Sequence, residues 1–132
     1  MTLLNAELHI NVSILKENIC YLKTKIDKKS NFLAVVKANA YGHSLKKFVE
    51  KLDDCVDGYA LVRVDEALQV RDLSKKPILL MQGIYDDDEA LIAKRNGFMC
   101  VLHTQEQIRT YSRNLENKNI WLKVNTGMNR LG

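Results

Sequence analysis

Lys37 closes the apolar run Phe32, Leu33, Ala34, Val35 and Val36, where a cation needs an explanation. If the run is a strand, alternation puts Lys37 on the same face as Leu33 and Val35. Partial desolvation there favours a neutral amine, and a neutral amine is what Schiff-base formation with an aldehyde requires. Taken alone, the residue fits better with a strand-end lysine whose amine snorkels to solvent. The other reactive residue types are scattered. His9 and His103 have no metal-ligand spacing to any cysteine or carboxylate, and no Ser-His-Asp arrangement is suggested. Cys20, Cys55 and Cys100 are odd in number and lack a CxxC pair, so neither a disulfide framework nor a zinc site follows, and no metal is expected.

The elements that must position Lys37 alternate short apolar runs with amphipathic stretches. Glu7–Ile10 reads as a short opening strand. Val12, Leu15, Ile19, Leu22 and Ile26 then recur at helical spacing behind Asn11 as cap. Apolar runs of strand length follow at Leu33–Ala38, Tyr59–Val62, Ile78–Met81, Phe98–Leu102 and Ile120–Val124. The intervals carry helical stripes. One is Leu45, Phe48, Val49 and Leu52 after Ser44, and another is Val64, Ala67 and Leu68 with Asp65 and Glu66 in its first turn. A third follows Asp86, Asp87 and Asp88 and ends at Gly97. In the last, Thr104 and Gln107 resemble a capping box before Ile108, Tyr111 and Leu115.

Strand–helix repetition with continuously apolar strands predicts an α/β fold, a parallel sheet covered by outer helices. The near-constant spacing fits a (β/α) TIM-type barrel slightly better than an open doubly wound sheet. Neither Gly-x-Gly-x-x-Gly nor a P-loop is present to support nucleotide binding. A closed barrel needs eight strands and about 250 residues. The repeat supplies five strands in 132 residues, so a partial barrel is expected, part of something longer.

Composition narrows the partners. The chain is 46% apolar, enough for a core, and its 27% charged residues are dispersed, which argues against wholesale disorder. A net charge of +4 is a mild excess. Lys23, Lys25, Lys28 and Lys29 crowd a helix end without an aromatic platform, so they read as a solvated end rather than a nucleic-acid patch. No apolar run approaches the length of a bilayer span, and no signal peptide is evident, so a cytoplasmic protein without a membrane partner is expected.

Two segments carry a resemblance. Ala34-Val35-Val36-Lys37-Ala38-Asn39-Ala40-Tyr41-Gly42-His43 resembles the segment of alanine racemases that attaches pyridoxal 5′-phosphate (PLP). Leu122-Lys123-Val124-Asn125-Thr126-Gly127-Met128-Asn129-Arg130-Leu131-Gly132 resembles that family's strand-five signature. The resemblance covers the whole chain but only about the first third of a typical member, and it implies that residues 1–132 are the N-terminal part of the PLP-binding barrel domain. It implies that Lys37 is the Schiff-base lysine and the base for the D-enantiomer. Tyr41 would place its hydroxyl at the cofactor phosphate, and Arg130 would help hold the substrate carboxylate near the cofactor's phenolic oxygen.

Lys123 matches a lysine that many members carry as a carbamate. That anion would pair with Arg130, whereas a cationic lysine would repel it; a neutral or solvent-reaching lysine is the alternative. Asn125 departs from the aspartate more common before Thr-Gly-Met, which puts any supporting role of that carboxylate in doubt. His43 is expected to support the loop, and Trp121 to pack in the barrel or an interface.

The resemblance implies PLP-dependent interconversion of L- and D-alanine, supplying peptidoglycan, by a homodimer. Its opposite-face base is a tyrosine from the partner's C-terminal domain, which no residue here matches, so the 132 residues alone are expected to be inactive. Their open sheet edge and apolar inner face would invite self-association. The alternatives are a PLP-carrier barrel protein, whose members share the lysine strand but not usually both motifs, and a racemase of another amino acid such as serine.

Overall fold

The computed structural model describes residues 7–114 and 120–132. Helix α1 (Val12–Lys23) is followed by strand β1 (Leu33–Val35), a five-residue turn at Lys37–Tyr41 that is left-handed from Ala38 onward, and helix α2 (Leu45–Leu52). A short 3₁₀ turn leads to β2 (Gly58–Leu61), α3 (Val64–Leu73), β3 (Ile78–Leu80), α4 (Asp87–Asn96), β4 (Met99–Leu102), α5 (Gln105–Asn114) and β5 (Ile120–Leu122).

All strand pairs are parallel, and the sheet order is β1-β2-β3-β4-β5. A doubly wound sheet reverses its order at a switch point, whereas a barrel adds each strand beside the last. The unreversed order is therefore an arc of a barrel, as the spacing predicted.

Strand alternation divides the core. On the helix-covered side, Val36, Tyr59, Leu61, Ile78, Leu80, Cys100 and Leu102 are buried with Val49, Leu52, Ala67, Val70 and Ala93 of the helices. On the concave side, Ala60, Leu79 and Val101 form a smaller cluster with Leu33, Met81 and Met99. Near-continuous burial of β2 and β3 follows from packing on both faces.

Helix ends match their local chemistry. The Asn11 side chain accepts from the Ile14 amide at 3.1 Å, and Asp86 accepts from the Glu89 amide at 2.8 Å. Thr104 Oγ1 accepts from the Gln107 amide at 3.1 Å, but Gln107 Oε1 accepts from the His103 amide rather than completing the box at Thr104. Its Nε2 instead donates to the Gln82 carbonyl at 2.7 Å, tying α5 to the end of β3.

Three expectations change. Glu7–Ile10 is not a strand; Leu8 and Ile10 are exposed, and among the described residues no neighbouring strand supplies the ladder that extended backbone needs. The α1 stripe is shorter than the spacing suggested: the helix ends at Lys23, so Ile26 lies past it, and only Ile19 is fully buried. Strand β1 ends at Val35 rather than Ala38, which makes Lys37 the opening residue of a turn. Leu115 lies outside the described residues.

Candidate functional site

The C-terminal ends of parallel strands are where barrel folds gather chemistry. Lys37 lies two residues past the end of β1 and is half-buried. Its amine meets no hydrogen-bond or ion-pair partner among the described residues.

The backbone after Lys37 is unusual. Ala38 (φ 51°, ψ 52°), Asn39 (54°, 47°) and Ala40 (53°, 48°) are all left-handed, as is Tyr41 at φ 55°. Gly42, at φ 84°, continues the hand without the Cβ penalty. Each non-glycine residue in this region costs roughly 1–2 kcal/mol. Such a run persists only where its surroundings over-determine it, and strained backbone of this kind clusters at functional sites.

Several contacts hold the run. The Ala40 amide donates to the Val36 carbonyl and the Gly42 amide to the Ala38 carbonyl, both at 2.9 Å. His43 Nδ1 lies 2.9 Å from the Ala40 carbonyl, the loop-supporting place expected of it. Asn39 reaches in two directions: its Oδ1 accepts from the Leu45 amide at 2.8 Å, and its own amide donates to Glu66 Oε1 at 3.3 Å. The Ser44 side chain makes no capping bond, so α2 takes its N-terminal acceptor from Asn39.

Tyr41 ends the turn, 58% exposed and with its hydroxyl unpartnered among the described residues. It borders a 740 Å³ cavity together with Val35, Val36, Ala40, Phe48 and Leu15. Lys37 does not line this cavity, which lies beside β1, the edge strand of the described sheet.

Lys123 directly follows β5, is half-buried, and its amide donates to the Leu102 carbonyl at 2.9 Å. The next segment is organised by Asn125, whose Oδ1 accepts from the amides of Gly127 at 3.0 Å and Asn129 at 3.1 Å. Its Nδ2 donates to Asn129 Oδ1 at 2.8 Å. Asn125 therefore supplies the acceptor that an aspartate would, plus a donor that an aspartate lacks. A Cβ on Gly132 would stand 2.6 Å from the Asn125 amide nitrogen, so the segment doubles back on the end of β5. Arg130 is exposed on this closed loop and unpartnered among the described residues.

The fold thus brings Lys37, Lys123 and Arg130 to the C-terminal side of one sheet, with β2, β3 and β4 between the first and the other two. Unpaired cations there suit an anionic ligand. Trp121 is 51% exposed on β5, opposite Val101 in register, and is not packed away. Among the described residues no group of His, Cys, Asp or Glu could hold a metal ion, and no helix is long and apolar enough to cross a membrane. Sequence reasoning missed Glu66, which the pattern marked only as a first-turn acid, and Asn39, quoted within its motif without a role. Asn tolerates left-handed backbone, and that was the one available signal.

Comparison with known proteins places these features in a family context. The family model described as alanine racemase, N-terminal domain, matches residues 10–132. The alanine racemase of Mannheimia succiniciproducens is 42% identical over 130 residues, covering 96% of this chain and 36% of that protein. The structure of biosynthetic alanine racemase from Pseudomonas aeruginosa superposes with a TM-score of 0.81 at 34% identity, over 89% of this chain and 34% of its own. A histidine racemase from Leuconostoc mesenteroides gives a TM-score of 0.79 at 28% identity, over 92% of this chain and 34% of its own. The chain spans about a third of the length of the relatives it matches.

Proposed function

The chain belongs to the alanine racemase family, and we propose that it is the N-terminal part of a barrel domain, residues 1–132, that binds PLP through Lys37 and serves the interconversion of L- and D-alanine. The observation that carries the reading is the unpartnered Lys37 amine at a strand end, set on a left-handed turn that costs free energy to maintain. The residues present fit the cofactor: a free amine for its aldehyde, and a free phenol, a guanidinium and a second lysine suited to anionic groups.

When bound, PLP accepts the electron pair left at the amino-acid Cα, which makes that C–H acidic. The rest falls to the protein. Lys37 Nζ would carry the cofactor and, once released, would remove the proton from one face of Cα or deliver one to that face, according to the direction of the reaction. The Tyr41 hydroxyl would donate to the phosphate. Arg130 pairs with the substrate carboxylate, a role suited to its planar fork. Lys123, as a carbamate, would turn a cation beside Arg130 into an anion that orients it. The base for the opposite face matches no residue of this chain, so these residues alone do not racemise. The intact protein is a cytoplasmic homodimer whose D-alanine supplies peptidoglycan.

The histidine racemase likeness favours a second reading for the substrate alone: this third of the fold serves more than one amino acid. A chimera tests both. Replacing the matching third of the Mannheimia relative with this chain should leave L-alanine to D-alanine turnover measurable, and Lys37→Ala should abolish it. Turnover that survives Lys37→Ala would refute the assignment, and turnover of L-histidine but not L-alanine would favour the second reading.

A further inference from the structure

We propose that Asn39 and Glu66 form a latch that holds the left-handed turn and thereby sets the direction of the Lys37 amine, making both positioning residues. The proposal rests on the reading of Lys37 as the cofactor lysine. The turn's internal bonds, from the Ala40 and Gly42 amides, do not choose a hand. The contacts that bear on it from outside include the burial of Ala40 and two bonds of Asn39.

On one side Asn39 Oδ1 takes the Leu45 amide of α2 at 2.8 Å, and on the other its amide meets Glu66 Oε1 of α3 at 3.3 Å. Both anchors are firm. Helix α2 is pinned by buried Leu45, Val49 and Leu52, and α3 by buried Val64, Ala67 and Val70. The Glu66 carboxylate is free to hold the turn, because Arg63 directs its guanidinium to Asp65, at 2.8 and 3.1 Å, and not to Glu66. Ala40, 5% exposed, wedges the middle of the turn into the core.

Lys37 is joined to the first left-handed residue by one peptide bond, so fixing the turn fixes the backbone from which its side chain departs. Packing alone would be served by an ordinary turn. A strained turn fastened to two helices directly after a reactive lysine is instead what preorganisation of that lysine requires.

The test uses Glu66→Ala, Glu66→Gln, Asn39→Ala and Asn39→Asp beside the wild-type chain. One readout is amide hydrogen exchange at Ala40 and Gly42, with Leu80 and Leu102 of the core strands as folding controls. The other is the share of label on Lys37 after treatment with PLP and borohydride. Both alanine variants should speed exchange in the turn about tenfold and lower the Lys37 share several-fold, with the control amides unchanged. Glu66→Gln and Asn39→Asp keep an acceptor oxygen and should stay close to wild type. Unchanged exchange in both alanine variants would overturn the latch, and faster exchange with an unaltered Lys37 share would overturn its positioning role. Label spread over surface lysines in the wild type would overturn the reading of Lys37, while the exchange rates would still decide the latch.

Discussion

Asp57 offers a stability prediction that can be worked from contact to measurement. It sits just before β2 and joins the chain segments on both sides of β1. Its Oδ2 accepts from the Phe32 amide at 2.7 Å and its Oδ1 from Lys23 Nζ at 2.8 Å. The amide bond is charge-assisted, a class that contributes about 1.5–3 kcal/mol. The ion pair adds less, about 0–1 kcal/mol, because the two side chains are 34% and 32% exposed. Asp57→Ala should therefore cost about 2–3 kcal/mol at pH 7.

The same contacts predict the pH dependence. The Lys23 hydrogen bond and then the Phe32 amide hold the Asp57 carboxyl below its ordinary value of 3.8. A depressed folded value means that the stabilisation is complete above pH 3.8 and is lost as pH falls through the lower folded value. Urea unfolding followed by far-ultraviolet circular dichroism, at pH 7 and in steps below pH 4, measures the gap between variant and wild type. The gap should narrow as acid is added. A gap below about 0.5 kcal/mol at pH 7, or one that stays constant into the acid range, would refute the reasoning.

Three further outcomes are expected. Gly83 has φ +75°, and an added Cβ would lie 2.3 Å from the Val101 carbonyl oxygen, so Gly83→Ala should cost about 2–4 kcal/mol in the same unfolding assay. Burial pushes the Cys100 thiol up to about 12, whereas Cys20 is exposed, so a disulfide reagent at pH 8 should modify Cys20 quickly and Cys100 only on unfolding. Ile120, Trp121, Leu122 and Val124 are exposed on and beside β5, so the chain should self-associate in sedimentation velocity with rising concentration, and Leu122→Lys should weaken the association.

Much of the sheet was legible because buried parallel strands are short apolar runs, and Leu33, Tyr59, Ile78 and Ile120 each fall in a strand. What failed was decided by distant partners. Glu7–Ile10 has strand composition but no neighbour to pair with among the described residues. The hand of the turn at Ala38–Tyr41 could not be read locally, since alanine and tyrosine avoid positive φ. Its fastening to Glu66 crosses 27 residues of sequence. The Lys37 motif was legible as a motif, yet its alternation argument assumed a strand that stops at Val35. Asn125 looked like a loss of charge, and only the hydrogen bonds to Gly127 and Asn129 reveal what its amide does.

The central claim is that Lys37 is the residue that carries PLP. Its most direct test is to mix the chain with PLP, reduce with borohydride, and map the modified residue by mass spectrometry. The account predicts label concentrated on Lys37, ahead of the exposed Lys28, Lys46 and Lys94, and lost from that peptide in Lys37→Ala. Label distributed over the surface lysines, with Lys37 no more modified than the rest, would contradict it.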